Sequence, residues 1–446
     1  MRWLAVALLV SLVGPTRGWG GPLDDLQPGE WYEAPGTHLQ AVLPDPVPPN
    51  WGGPGSIMGA WSGGAFDSTR GRLVVWGGGH ADYAGNEVYT FDVESLAWAR
   101  LWGPSPDLPD VGAMASVETY ADGNPVSRHT YDGLAYVPTV DGLFAQGGSR
   151  YSNGYGTSAT WLFSFAGTAW ARKADAPDTM YGVLAVFDPV TAHVFHQGQS
   201  QFSEYDPGAD TYTARGAING GWWHTNETAA IDPVRRLFVA VGSGAMLVWD
   251  LASWQQLSVA STGGDAVIGA SAPGFVYAEA DARLVAWSGG TSVHTLDPDT
   301  WTWTEHPAAA TNTVTPSTPA ANGTYGRFQY VPSRNLFVVV NSIDTNVFFY
   351  RLSTALPPPR DGGLADASPD DASAGDARPP DATGHDSAAD VGHQPGGGGG
   401  CGCRSAPGTG PVTAALVCLL GVALRAQRRA RPAQRSRRSS SSSRCS

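Results

Sequence analysis

The chain has 446 residues, a formal net charge of −13 and only 15% charged residues, with 57 glycines, 34 prolines and 17 tryptophans. Such a composition favours many short strands joined by tight turns over helices. Setting aside the eight Asp and eleven Arg of residues 360–446 leaves 32 acidic against 16 basic residues upstream, which argues against nucleic acid or anionic membrane as partners of the globular part.

Residues 1–20 read as a secretory signal peptide: Arg2 precedes about ten apolar residues, too few to anchor the chain in a bilayer. All four cysteines, Cys401, Cys403, Cys418 and Cys445, lie in the last 46 residues. The exported globular part is therefore expected to hold together by packing, without disulfides.

Residues 21–355 repeat one phrase. An apolar run ends in paired glycines, as at Gly77-Gly78, Gly147-Gly148 and Gly289-Gly290, and a second apolar run leads to Trp98, Trp170 or Trp301. Six pairs of strands follow one another, starting near Ala60, Tyr131, Tyr181, Asn226, Ala272 and Tyr325. Their spacing predicts an all-β, six-bladed propeller with four strands to a blade. Glycines at 77, 147, 198, 242 and 289 are expected to end the second strands with positive φ, and Trp98, Trp170, Tyr212, Trp254 and Trp301 to lie on the fourth as plates between blades. The sixth unit lacks a fourth strand, and the segment around Trp31 is expected to supply it and close the ring. The paired glycines and spaced Tyr and Trp resemble the kelch repeat, whose fold is a β-propeller and which by itself implies little about activity.

From residue 356 to 399 the chain is rich in Asp, Pro, Ala and Gly and is expected to be a solvated, disordered linker. Residues 400–446 carry Cys401-Gly-Cys403-Arg404, a short apolar stretch at 411–424 that reads as a hydrophobic helix, and eight arginines between Arg425 and Arg444. This order of parts resembles the C-terminal sorting signals of myxobacterial surface proteins. The resemblance implies processing around Cys401 or Cys403 and contact with the membrane through the tail alone; a plain anchor is the other reading.

The loops that lead into first strands and those that join second to third strands share one face of a propeller. They carry His80, Asp82, Tyr83 and Asn86 in blade one, and Arg128, His129, Tyr131, Arg150 and Tyr151 in blade two. His224 and Asn226 belong to blade four, and Arg327 to blade six. Basic side chains gathered at a channel mouth suit an anionic or hydroxyl-rich ligand, and Tyr83, Tyr151, Trp222 and Trp223 offer faces for sugar rings. The bland reading stands beside this one: Asp82, Asn86 and Glu87 satisfy turn amides, and His80 caps its own loop.

Galactose oxidase shares the propeller architecture, but its copper-radical chemistry needs a cysteine cross-linked to tyrosine, and no cysteine precedes Cys401. A metal on His80, His129 and His224 has no ligand spacing behind it, so neither metal nor cofactor is expected. The sequence thus reads as a secreted or surface-displayed, monomeric propeller that binds a glycan or an extracellular protein. The alternative is an extracellular carbohydrate-active enzyme of lyase or epimerase type, using His129, Tyr131 and Arg128 as base, acid and carboxylate clamp.

Overall fold

The computed structural model describes residues 21–355, apart from 81, 110–116, 152–153, 180 and 219–224. The expected signal peptide and linker, the tail with Cys401 and Cys403, and Trp222, Trp223 and His224 lie outside the described residues. Among those described, no helix is long and apolar enough to cross a membrane.

The described residues form six four-stranded antiparallel sheets. Blade one is Gly64–Asp67, Arg72–Val75, Val88–Asp92 and Ala97–Trp102. Blade two is Leu134–Val137, Gly142–Gln146, Thr160–Ser164 and Ala169–Lys173. Blade three is Leu184–Asp188, His193–Gln197, Gln201–Asp206 and Thr211–Ala217. Blade four is Thr228–Asp232, Leu237–Gly242, Ala245–Asp250 and Gln255–Leu257. Blade five is Gly274–Ala278, Arg283–Trp287, Val293–Asp297 and Thr302–His306. Blade six runs Phe328–Val331, Leu336–Val339 and Val347–Tyr350, and its fourth strand is Trp31–Ala34, antiparallel to the third with Trp31 opposite Tyr350. The six first strands neighbour one another in a closed cycle, so the molecule is a six-bladed β-propeller.

Each interface between adjacent blades has its own apolar core. In the second strand of blade one, Leu73 and Val75 pack with Val338 and Phe349 of blade six, while Val74 and Trp76, the residue after the strand, pack with Leu143 and Trp161 of blade two. A strand buried on both faces has no polar side to show, which is why the second strands read as unbroken apolar runs. The aromatic plates fall where the turns allow. Trp98, Trp170 and Tyr212 sit on fourth strands, but Trp254 and Trp301 occupy turns just before them at φ 60° and 53°. In blade five Trp303, buried with Phe275 of the same blade and Val267 of the connection from blade four, is the plate instead.

The glycines after second strands differ in the same local way. Gly242 has φ 142°, and a Cβ there would meet the Asn226 carbonyl oxygen at 2.3 Å. Gly198 lies outside the left-handed region and is needed for space beside the Asp178 carboxylate, 2.8 Å from where a Cβ would stand.

Candidate functional site

The loop face is built on a ring of backbone contacts. Trp61, Tyr131, Ala272 and Tyr325 each stand a few residues before a first strand with φ between 40° and 50°. The Tyr131 N–H donates to the Trp61 carbonyl at 2.7 Å, and the Ala272 N–H to the Asn226 carbonyl at 2.7 Å, so successive blades are stitched through these turns. Side chains of this layer are turned toward the axis from alternate blades. The Tyr325 hydroxyl of blade six donates to the Thr225 carbonyl leading into blade four, and the Tyr325 ring meets that of Tyr131 in blade two edge-on at 6.2 Å.

Two of the expected ligand-binding arginines are structural. A short pair of strands, Arg128–His129 and Ser149–Arg150, extends the loops of blade two. There the Arg128 guanidinium is buried, ion-paired with Glu118 at 2.7 Å and bonded to the carbonyls of Gly147 and Val126. Arg327, 0% exposed, donates to the carbonyls of Ser62, Val340, Asn341 and Gly323. Burial pulls its guanidinium down to about 10, against the influence of Tyr325. A charge held this way ties blades together and is not presented to a ligand.

Glu118, on the long loop before blade two, was not singled out by the sequence. It gathers Arg128, Arg150, Thr157 and the Trp161 indole N–H. Burial by itself would raise its carboxyl, but Arg128 and these donors hold it below the usual carboxylate range.

Several other expected contacts are also interior. Tyr83 is buried and its hydroxyl donates to Glu87 at 2.9 Å. Asn86 donates to Ser105 and to the Pro125 carbonyl, and accepts from the Ser105 N–H. Tyr151 is buried, with its N–H on the Ser127 carbonyl at 2.7 Å. None of the three offers a face to a sugar, because each is used to fix a loop that has no strand to hold it. Arg150 is half-buried, and Asn226 is half-buried with its carbonyl accepting from Ala272 and Ser243.

What reaches the surface is a smaller group centred on Asp82. Its carboxylate meets His129 Nε2 at 2.8 Å, and its carbonyl accepts from the N–H groups of Trp51 and Gly52. His129 is buried beneath the Trp61 ring, at 4.9 Å, and the exposed His80 ring, at 5.6 Å. Burial pushes the His129 imidazole below its ordinary range; Asp82 opposes that shift and His80 adds to it. Neutral His129 therefore donates to the Asp82 carboxylate and aims it, leaving the second carboxylate oxygen for another donor. Trp51 is 73% exposed, and Trp61 and Tyr181 are half-buried.

Arg128 and His129, consecutive on one strand, go to different partners, Glu118 and Asp82. With Tyr131 also buried, the base, clamp and acid of a lyase do not meet at one open point. Among the described residues no group of three or more His, Cys, Asp or Glu side chains is placed to hold a metal ion.

Comparison with protein-family models and with curated proteins finds no match to this chain.

Proposed function

We propose that the protein is an exported kelch-type propeller that binds a neutral, hydroxyl-rich glycan on the Asp82 face and does not turn it over. The observation that carries this reading is the carboxylate of Asp82 held by His129, with the half-buried Trp61 ring packed on that imidazole and the exposed Trp51 bonded through its backbone N–H to the Asp82 carbonyl. A sugar ring packs its C–H face on an indole while its hydroxyls donate to a fixed carboxylate. The arginines that would favour an anionic polymer are used internally, which supports a neutral ligand over a uronic acid. The signal peptide, linker and Cys-containing tail fit display outside the cell.

Glycan-array binding of the purified protein tests the reading. Binding to neutral glycans is expected, with a loss of at least ten-fold in Trp51→Ala and in Asp82→Asn. Undiminished binding in both variants, or release of product from a bound glycan, would overturn it.

A further inference from the structure

The first strands enclose a channel of about 740 Å³ along the propeller axis, a volume suited to a small organic molecule. Its wall is mostly apolar and drawn from all six blades, with Phe66, Tyr136, Phe187, Ile231 and Tyr277 among the lining residues. The two ends differ. Toward the Asp82 face the lining stops at Asp132 and Gly326, and the buried rings of Tyr131 and Tyr325, one residue earlier in each chain segment, close that end. On the opposite face the lining continues through the first turns at Ser68, Pro138, Pro189, Pro233, Glu279 and Pro332. The channel is thus a blind pocket whose opening lies away from the glycan face.

Asp132 forms its floor. The residue belongs to the turn before blade two, yet its Oδ2 accepts from the backbone N–H of Ala229 in blade four at 2.8 Å, and its carbonyl accepts from Ala185 in blade three. The side chain therefore crosses toward the axis, 6% exposed, with the Ala229 N–H as the donor to its carboxyl among the described residues. Burial holds this carboxyl well above the usual carboxylate range, with the Ala229 N–H acting against it. Among the described residues no basic side chain lines the pocket, and its titratable carboxyls are those of Asp132 and Glu279.

We propose that this pocket binds a small organic cation, an amine with an aromatic or aliphatic body, its ammonium group on Asp132. The body replaces water on the apolar wall, and the ammonium, by bringing a positive charge to the carboxyl, draws its proton off to solvent and pairs with the carboxylate so formed. A carboxylate or phosphate ligand brings no such charge and meets a lining without a basic side chain among the described residues. An uncharged body of equal shape gains the wall contacts alone.

Calorimetric titration of the full-length protein with 2-phenylethylamine, 2-phenylethanol and 3-phenylpropionate is the test. The amine is expected to bind at least ten-fold more tightly than the alcohol, and the carboxylate not at all. Asp132→Asn keeps an oxygen for the Ala229 N–H and cannot ionise, so it should bring the amine down to the level of the alcohol. Equal binding of amine and alcohol by the native protein overturns the proposal without any variant. So does a crystal soaked with the amine that shows it away from Asp132. Trp51→Ala, which tests the glycan face, is expected to leave amine binding unchanged.

Discussion

Arg327 of blade six donates its Nε proton to the carbonyl of Ser62, in the turn before blade one, at 2.9 Å. The same guanidinium bonds to Val340 and Asn341 at the end of its own blade's second strand and to Gly323 in the loop before it. One side chain thus bonds four carbonyls at the junction between the last blade and the first.

Replacing it by methionine keeps the volume and removes every donor. Each buried carbonyl left without a partner costs about 1–3 kcal/mol, and water relieves only part of that. Arg327→Met is therefore expected to lose about 3 kcal/mol or more, read as a lower denaturant midpoint at unchanged slope. A loss below about 1 kcal/mol would show that the four bonds are not made together.

Glu87 carries a pH dependence of the opposite kind from a surface carboxylate. Burial raises its carboxyl from 4.5 to about 7, with its own backbone N–H, the Tyr83 hydroxyl and Arg100 opposing. The folded pKa lies above the unfolded one, so its contribution is fully present below pH 4.5 and is lost as pH rises to about 7. Glu87→Gln does not ionise and still accepts from Tyr83. It should match the native protein at pH 4 and exceed it by about 2–3 kcal/mol at pH 8. Denaturant unfolding of both proteins at the two pH values makes the comparison; a variant equal or weaker at pH 8 refutes it.

The strands were legible because a strand between two blades must be apolar on both sides, and that leaves runs such as residues 73–76 and 336–340. The closing role of Trp31 was readable as a missing partner for Val347–Tyr350, and that strand does pair there. Trp254 and Trp301 were misplaced because a one-residue shift of a left-handed turn moves an aromatic off its strand, and periodicity does not resolve such a shift. The site was harder to read. Arg128 and Arg327 looked like ligand contacts since nothing near them in sequence shows that Glu118 or four carbonyls from distant loops use their charges. Asp132 follows Tyr131 and carries no signal of its own in the sequence, because only the ring geometry brings Ala229 to its carboxyl.

His196 gives a second pH signature. It is buried between blades, its Nε2 donating to the Gln146 side-chain oxygen at 2.6 Å while Nδ1 has no hydrogen-bond partner among the described residues. Burial lowers the imidazole from 6.5 to about 4, with Asp178 opposing weakly. A base whose folded pKa is depressed leaves the unfolded chain to take up the proton first. Its contribution to stability is therefore present above pH 6.5 and is lost as pH falls toward 4. His196→Gln should flatten the fall in unfolding free energy across that window by about 2–3 kcal/mol. An unchanged slope would mean that other groups carry the acid sensitivity.

Trp31 is where the ring depends on a strand from the other end of the chain. Its ring lies 4.8 Å from Tyr350 and 5.9 Å from Trp287, and its indole N–H donates to the Thr291 carbonyl of blade five at 2.9 Å. Truncation to alanine empties a buried site between blades five and six and orphans that carbonyl, a loss of about 3–5 kcal/mol. Removing the whole strand does more, because Val347–Tyr350 then presents an unpaired apolar edge to other molecules. Trp31→Ala should unfold at lower denaturant yet stay monomeric by light scattering, while deletion of residues 21–35 should associate with rising concentration. If the deleted form stayed monomeric and as stable as the native protein, the first strand would be an ornament on blade six; with Trp31 buried against two blades, the expected result is that blade six does not stand without it.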